Sequence, residues 1–218
     1  MNRIRGRSKL LALVVAGAVA VGLGTGFAAP LAAAARDVTD QFGFTSVRSG
    51  IPEGASHFEL TSPDLRNGQR FPQSEVANIF GCNGGNQAPR LQWRGAPTAT
   101  QSFAVTMFDP DAPTGSGFWH WLVWDIPANA RSLGSTLPTG AVSGTNDAGL
   151  TGFLGPCPPV GDRVHRYRLS VFALDVPSLG LPSTAGLSTT RGAVLAFSMR
   201  LHILAFGRLT ATFSQPAA

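Results

Sequence analysis

Four side chains suited to holding a small anion stand in two proline-flanked stretches. The first, "MFDPDAPTGSGFWHWLVWDIP" (Met107 to Pro127), carries Asp109 at the end of an apolar run and His120 between two tryptophans. The second, "GPCPPVGDRVHRYRLSVFALD" (Gly155 to Asp175), carries His165 and Tyr167. On a strand those two share a face, roughly 7 Å apart along the chain. An imidazole and a phenol side by side can donate hydrogen bonds to one anion. An aspartate beside two histidines can set their tautomers or raise their pKa, which favours anion capture near neutral pH. Each residue also has a plainer reading. Asp-Pro and Asp-x-Pro form ordinary turns, and an isolated histidine in a half-buried strand is commonly a hydrogen-bonded structural residue. The spacing within each stretch does not by itself bring the two loops together.

The elements that must position these groups read as short strands bounded by Gly, Pro and Asn. "HFELTS" (His57 to Ser62), "RLQW" (Arg90 to Trp93), "SFAVTMF" (Ser102 to Phe108), "WHWLVWDI" (Trp119 to Ile126) and "HRYRLSVFAL" (His165 to Leu174) are the candidates, with "RLTATFS" as a final one. Alternation puts Phe103, Val105 and Met107 on one face of their strand. It puts His120 on a face with Leu122, Trp124 and Ile126. Asp109 is held extended by Pro110, and Pro113 stiffens the rest of that loop. Ser188 to Ala205 reads as a helix opened by a Ser/Thr cap. The expected fold is mainly β, an antiparallel sandwich-like arrangement with one or two C-terminal helices.

The first 35 residues read as an export leader. Arg3, Arg5, Arg7 and Lys9 precede an apolar stretch from Leu10 to Leu23, and small residues run from Ala28 to Ala35. No Arg-Arg pair marks the twin-arginine route, and the apolar stretch falls short of the roughly 20 residues that span a bilayer. Residues 36–218 then form one domain, secreted or held in the cell envelope, with no membrane span once the leader is cleaved. Four of the 17 cationic residues precede Ala35 and none of the 12 acidic ones does, so residues 36–218 carry 13 cations against 12 acids. That near-balance lacks the basic stripe of a nucleic-acid partner. Trp119, Trp121 and Trp124 accordingly read as packing groups, not as a stacking platform for bases. The two cysteines of an exported chain point to one disulfide.

Catalysis finds little support. There is no G-x-S-x-G elbow and no H-E-x-x-H, and Ser116 lies in a Gly-rich turn without an evident base. His120, His165 and Asp109 lack the short spacing of a metal site, so no metal or cofactor is expected. A hydrolase is the remote alternative. A secreted interaction or inhibitor module, acting through surface loops such as Pro138 to Gly149, is the nearer one. His57 and His202 read as structural.

"DPDAP…WHWLV" followed by "GPCPP…HRY" resembles the phosphatidylethanolamine-binding protein family, which includes the Raf kinase inhibitor proteins. "DLRNGQRFP" and "GCNGGNQAPRLQW" resemble most its bacterial YbhB/YbcL branch. The resemblance runs from about His57 to Phe213. It implies a sandwich-like fold with a small pocket for phosphate, phosphorylated head groups or similar anions; the leading expectation is a secreted binding protein that is not an enzyme, with a regulatory role as one option. By motif, Asp109, His120, His165 and Tyr167 belong to that pocket, with Pro113 beside them and the Gly155 to Pro159 loop, including Pro158, as a wall. It further implies a cis peptide in the DPDAP loop, placed before Pro113. Cys82 and Cys157 lie in two of the motif loops, and a Cys82–Cys157 disulfide is expected to join them. The surface elements of kinase-regulating members find no match here.

Overall fold

Two sheets and one short helix stack in three layers. The computed structural model describes residues 50–217, so the expected leader lies outside the described residues. The larger sheet has six strands: β1 (Ser56–His57), β4 (Ser102–Asp109), β5 (Phe118–Pro127), β7 (Val142–Ser143), β8 (His165–Leu174) and β9 (Ile203–Phe213). Their spatial order is β1-β9-β8-β4-β5-β7, antiparallel except where β1 meets β9. The smaller sheet has the order β2-β3-β6, from β2 (Glu59–Thr61), β3 (Leu91–Arg94) and β6 (Ser132–Leu133). The helix α1 spans Gly192–Met199.

Burial follows this layering. Between the sheets lie Phe58, Leu91, Trp93 and Leu133, packed on Phe103, Val105, Met107, Trp121, Tyr167 and Leu169. The outer face of the large sheet buries Ala104, Leu122, Trp124, Phe172 and Phe206 under Leu195 and Met199 of α1. β4 is therefore covered on both sides, which is why "SFAVTMF" is apolar nearly throughout instead of alternating. Burying its Phe103, Val105 and Met107 alone is worth roughly 2 kcal/mol for each side chain.

Several sequence expectations are corrected. "HFELTS" is two strands, because the chain changes sheets at Phe58: His57 pairs with Phe206, while Glu59 to Thr61 pair with β3. The helix is eight residues long, far shorter than the span from Ser188 to Ala205. Ile203 onward pairs with β8, and this ladder takes the backbone groups a longer helix would have used. His202 lies in the intervening turn, bonded to Asp175 at 2.9 Å. The helix has no Ser/Thr cap, since Arg191 occupies that position without a side-chain cap bond and Ser188 Oγ bonds the Pro182 carbonyl. The peptide before Pro113 is trans, as are all others among the described residues. The loop reverses instead through an Asx turn, in which Asp109 Oδ1 accepts the Asp111 N–H at 2.8 Å, and through Gly115 and Gly117 at positive φ. Only part of the Pro138 to Gly149 segment is free surface. Ala141 to Asn146 are buried, and β7 pairs there with β5.

Candidate functional site

β4, β5 and β8 deliver Asp109, His120, His165 and Tyr167 to the inner face of the large sheet. Asp109 ends β4, and its Oδ2 accepts a bond from His165 Nδ1 at 2.7 Å, both groups being buried. Tyr167 follows two residues after His165, its ring stacked on the imidazole at 6.2 Å. His120 arrives by a different device. Met107 pairs with Trp121 and Phe108 with Trp119, so His120 is the extra residue of a β-bulge. The bulge breaks the alternation of β5 and brings the His120 ring edge-on to Tyr167 at 5.2 Å. A second irregularity opposite Ala104, where Asp125 has φ 52°, returns Ile126 to the inner core with Trp121. His120 therefore does not share a face with Leu122 and Trp124, which pack under α1.

The Gly155 to Pro159 loop forms the neighbouring wall. His120 Nδ1 bonds the Leu154 carbonyl at 3.0 Å, and Leu154 N–H donates to the His120 carbonyl at 3.0 Å. Asn86 Oδ1 accepts the Gly155 N–H at 2.8 Å, Ala77 N–H reaches the Pro156 carbonyl, and Gln215 Nε2 donates to the buried Pro158 carbonyl at 2.6 Å. Cys82 and Cys157 are joined, with Cα atoms 5.9 Å apart. Gly155 is demanded by space. A Cβ there would lie 2.0 Å from the Glu75 carbonyl oxygen and 2.5 Å from Ala77 N. Gly155→Ala is expected to cost about 2 kcal/mol, because backbone and not a flexible side chain must move. A thermal unfolding midpoint equal to that of the wild type would contradict this.

The electrostatics differ from the sequence expectation. Asp109 reaches His165 but not His120. Burial depresses His120 from 6.5 to about 4, against the upward pull of the Leu154 carbonyl, so the ring is neutral at physiological pH. A carbonyl only accepts, so Nδ1 carries the proton and Nε2 is the acceptor nitrogen. Burial also raises Asp109 above the usual carboxylate range, opposed by its bond to His165. It raises the Tyr167 phenol as well, helped by the nearby Asp109. The Tyr167 hydroxyl is fully buried near Asp109 and meets no partner in hydrogen-bond geometry among the described residues.

Pro113 is exposed and lines a groove on the outer, helix-bearing side. Three residues passed over in the sequence matter to the site. Asp162 Oδ2 faces His165 Nε2 at 3.2 Å, so both ring nitrogens meet carboxylates. Asp111 accepts from the Arg166 backbone N–H, Nε and Nη2 at 2.8–3.0 Å, tying the DPDAP loop to the start of β8. That pair pulls Asp111 below its ordinary value, with the Arg166 side-chain bonds leading. Asn86 anchors the wall. The position of Asp162, one turn before His165, is the one signal that could have been read.

Residues 61–214 match the family model for phosphatidylethanolamine-binding protein. The chain belongs to that family. YbcL of Escherichia coli (strain K12) is 42% identical over 167 residues, 73% of this chain and 88% of YbcL. YbhB of the same organism is 42% identical over 163 residues, 72% of this chain and 99% of YbhB. The crystal structure of YbcL, described as a new member of the mammalian PEBP family, aligns with a TM-score of 0.68 at 42% identity, covering 73% of this chain and 99% of that one. The phosphatidylethanolamine-binding protein fold is thus shared with the YbhB/YbcL branch.

Proposed function

We propose that this phosphatidylethanolamine-binding protein family member is an extracytoplasmic, non-enzymatic binding protein. We assign the anion pocket that family membership implies to Tyr167, His120 and His165, where it takes phosphate or a phosphorylated head group. The observation that carries this reading is the Tyr167 hydroxyl. An unpaired buried hydroxyl costs about 1–3 kcal/mol, and an acceptor oxygen of a ligand relieves it. His120 Nε2, an acceptor, suits a ligand oxygen that still bears a proton. Asp109 close by disfavours a dianion. No activated nucleophile accompanies the cluster, which supports binding and not turnover. Export is supported by the pattern of residues 1–35 and by the Cys82–Cys157 bridge, since disulfides persist in oxidising compartments.

The test is calorimetric titration with inorganic phosphate and phosphoethanolamine. Wild type should bind saturably, and His120→Ala should lose binding. Tyr167→Phe should bind about tenfold more weakly, the loss of one hydrogen bond to a charged group. That variant should unfold no earlier than wild type, because its missing hydroxyl had no partner. Equal affinities for wild type and Tyr167→Phe would remove this reading, as would the absence of binding by a folded wild type. Affinity for phosphoethanolamine is further expected to rise from pH 7.5 to 5.5, as the phosphate takes up its second proton near pH 6. His120 stays neutral over that range. A flat or falling affinity would show that His120 does not accept from the ligand.

A further inference from the structure

The outer face of the large sheet carries a depression of about 860 Å³, within the usual range for small-molecule sites. Its floor comes from alternate residues of three adjacent strands. Phe108 of β4 stands beside Arg168 of β8, and in the next row Thr106, Ser170 and Arg208 of β9 stand side by side. Trp119, its ring 4.5 Å from that of Phe108, forms one side of the groove. Met199 and Ile203, from the end of α1 and the start of β9, form the other. Because the side chains of β8 alternate, this face is the reverse of the one bearing His165 and Tyr167.

The charges in the groove do not cancel locally. Arg163 and Arg166 both pair with Asp111, and Asp162 bonds His165. No carboxylate among the described residues lies within ion-pair distance of Arg168 or Arg208. The Arg168 side chain has no hydrogen bond or ion pair among the described residues. Arg208 Nε donates to Ser170 Oγ at 3.0 Å, and its guanidinium lies 5.1 Å from the Phe206 ring. Partial burial, and then the charge of Arg168, pull Arg208 below the ordinary arginine value. Two guanidinium groups beside an apolar trough lack a counter-charge among the described residues, and their planar forks match a carboxylate. Asp111 and Asp162 at the rim disfavour a doubly charged head such as phosphate.

We propose that this groove is a second binding site, for a small amphiphilic carboxylate. Its head sits between Arg168 and Arg208, and its apolar body lies along Phe108, Trp119, Met199 and Ile203. The site is separate from the Tyr167 pocket and does not depend on that pocket's assignment.

Dodecanoate is the probe, titrated against the full chain below its micelle concentration, with tryptophan fluorescence as the readout, Trp119 being the one of the four tryptophans that lines the groove. Saturable binding is expected, at least tenfold tighter than that of dodecan-1-ol. Arg168→Lys should retain most of it. Arg168→Glu should weaken dodecanoate at least tenfold and strengthen dodecyltrimethylammonium. Arg168 is exposed, so the charge reversal should fold. If circular dichroism shows otherwise, Arg208→Gln must produce the same tenfold loss. Inorganic phosphate in excess should leave the titration unchanged. Absence of saturable binding overturns the proposal, including the case in which chain preceding Gly50 fills the groove. Equal affinity for the alcohol, insensitivity to the arginine variants, or displacement by phosphate would each overturn it as well.

Discussion

Replacing Cys82 and Cys157 together by alanine is expected to lower the unfolding free energy by about 4 kcal/mol. The bridge closes a loop with a sequence separation of 75, and most of its effect lies in the unfolded chain, whose freedom it restricts. The native wall keeps other ties: Asn86 to Gly155, Ala77 to Pro156 and Gln215 to Pro158. The variant should therefore reach the same fold with a less tightly held wall beside His120. Urea unfolding of the oxidised protein, the reduced protein and the double variant measures the difference. Reduction and double substitution should agree with each other. A loss below about 1 kcal/mol would show that the unfolded chain is already restricted at this junction, or that the native bridge is strained.

The second large effect is a pH dependence centred on His120. Its folded pKa is depressed from 6.5 to about 4, so between those values the unfolded chain holds a proton that the folded chain lacks. The stability of the neutral ring is present in full above pH 6.5, declines as the pH falls, and levels off below about 4. The depression corresponds to roughly 3 kcal/mol. Other buried groups titrate nearby. Asp109 and Glu75 are raised by burial, so folding favours their protonated forms and their contributions run the other way. Asp111 and Asp64, lowered by their arginine partners, lose stability only at still lower pH. His120→Asn separates these, because the amide can still donate to the Leu154 carbonyl but cannot take a proton. Between pH 7 and 4 the wild type should lose roughly 3 kcal/mol more than the variant. Parallel curves would mean that the ring is hydrated enough to charge in place.

Legibility differed from element to element for identifiable reasons. "HRYRLSVFAL" is β8 residue for residue, and "SFAVTMF" lies within β4, because alternation and bounding turn residues are local properties. The helix from Ser188 was over-extended because Ile203 to Phe213 has a partner 29 or more residues away in β8, and that ladder outweighs local helix propensity. "HFELTS" was read as one strand because nothing in six residues shows that the chain changes sheets at Phe58.

The same division runs through the candidate site. From the sequence alone came the residue types, the proline-stiffened loops, the shared face of His165 and Tyr167, and the two cysteines that pair. Their chemistry depends on chain identity and one- or two-residue spacing, which no folding step can alter. The tertiary structure alone decided that His120 turns toward Tyr167, that its pKa falls instead of rising, and that Asp162 closes the second nitrogen of His165. It also decided that the Tyr167 hydroxyl meets no partner in hydrogen-bond geometry among the described residues, and that Arg168 and Arg208 line one groove. Each of these depends on a bulge, a burial depth or a contact between distant segments. Such quantities are set by which strands become neighbours, and spacing along one strand carries no record of that.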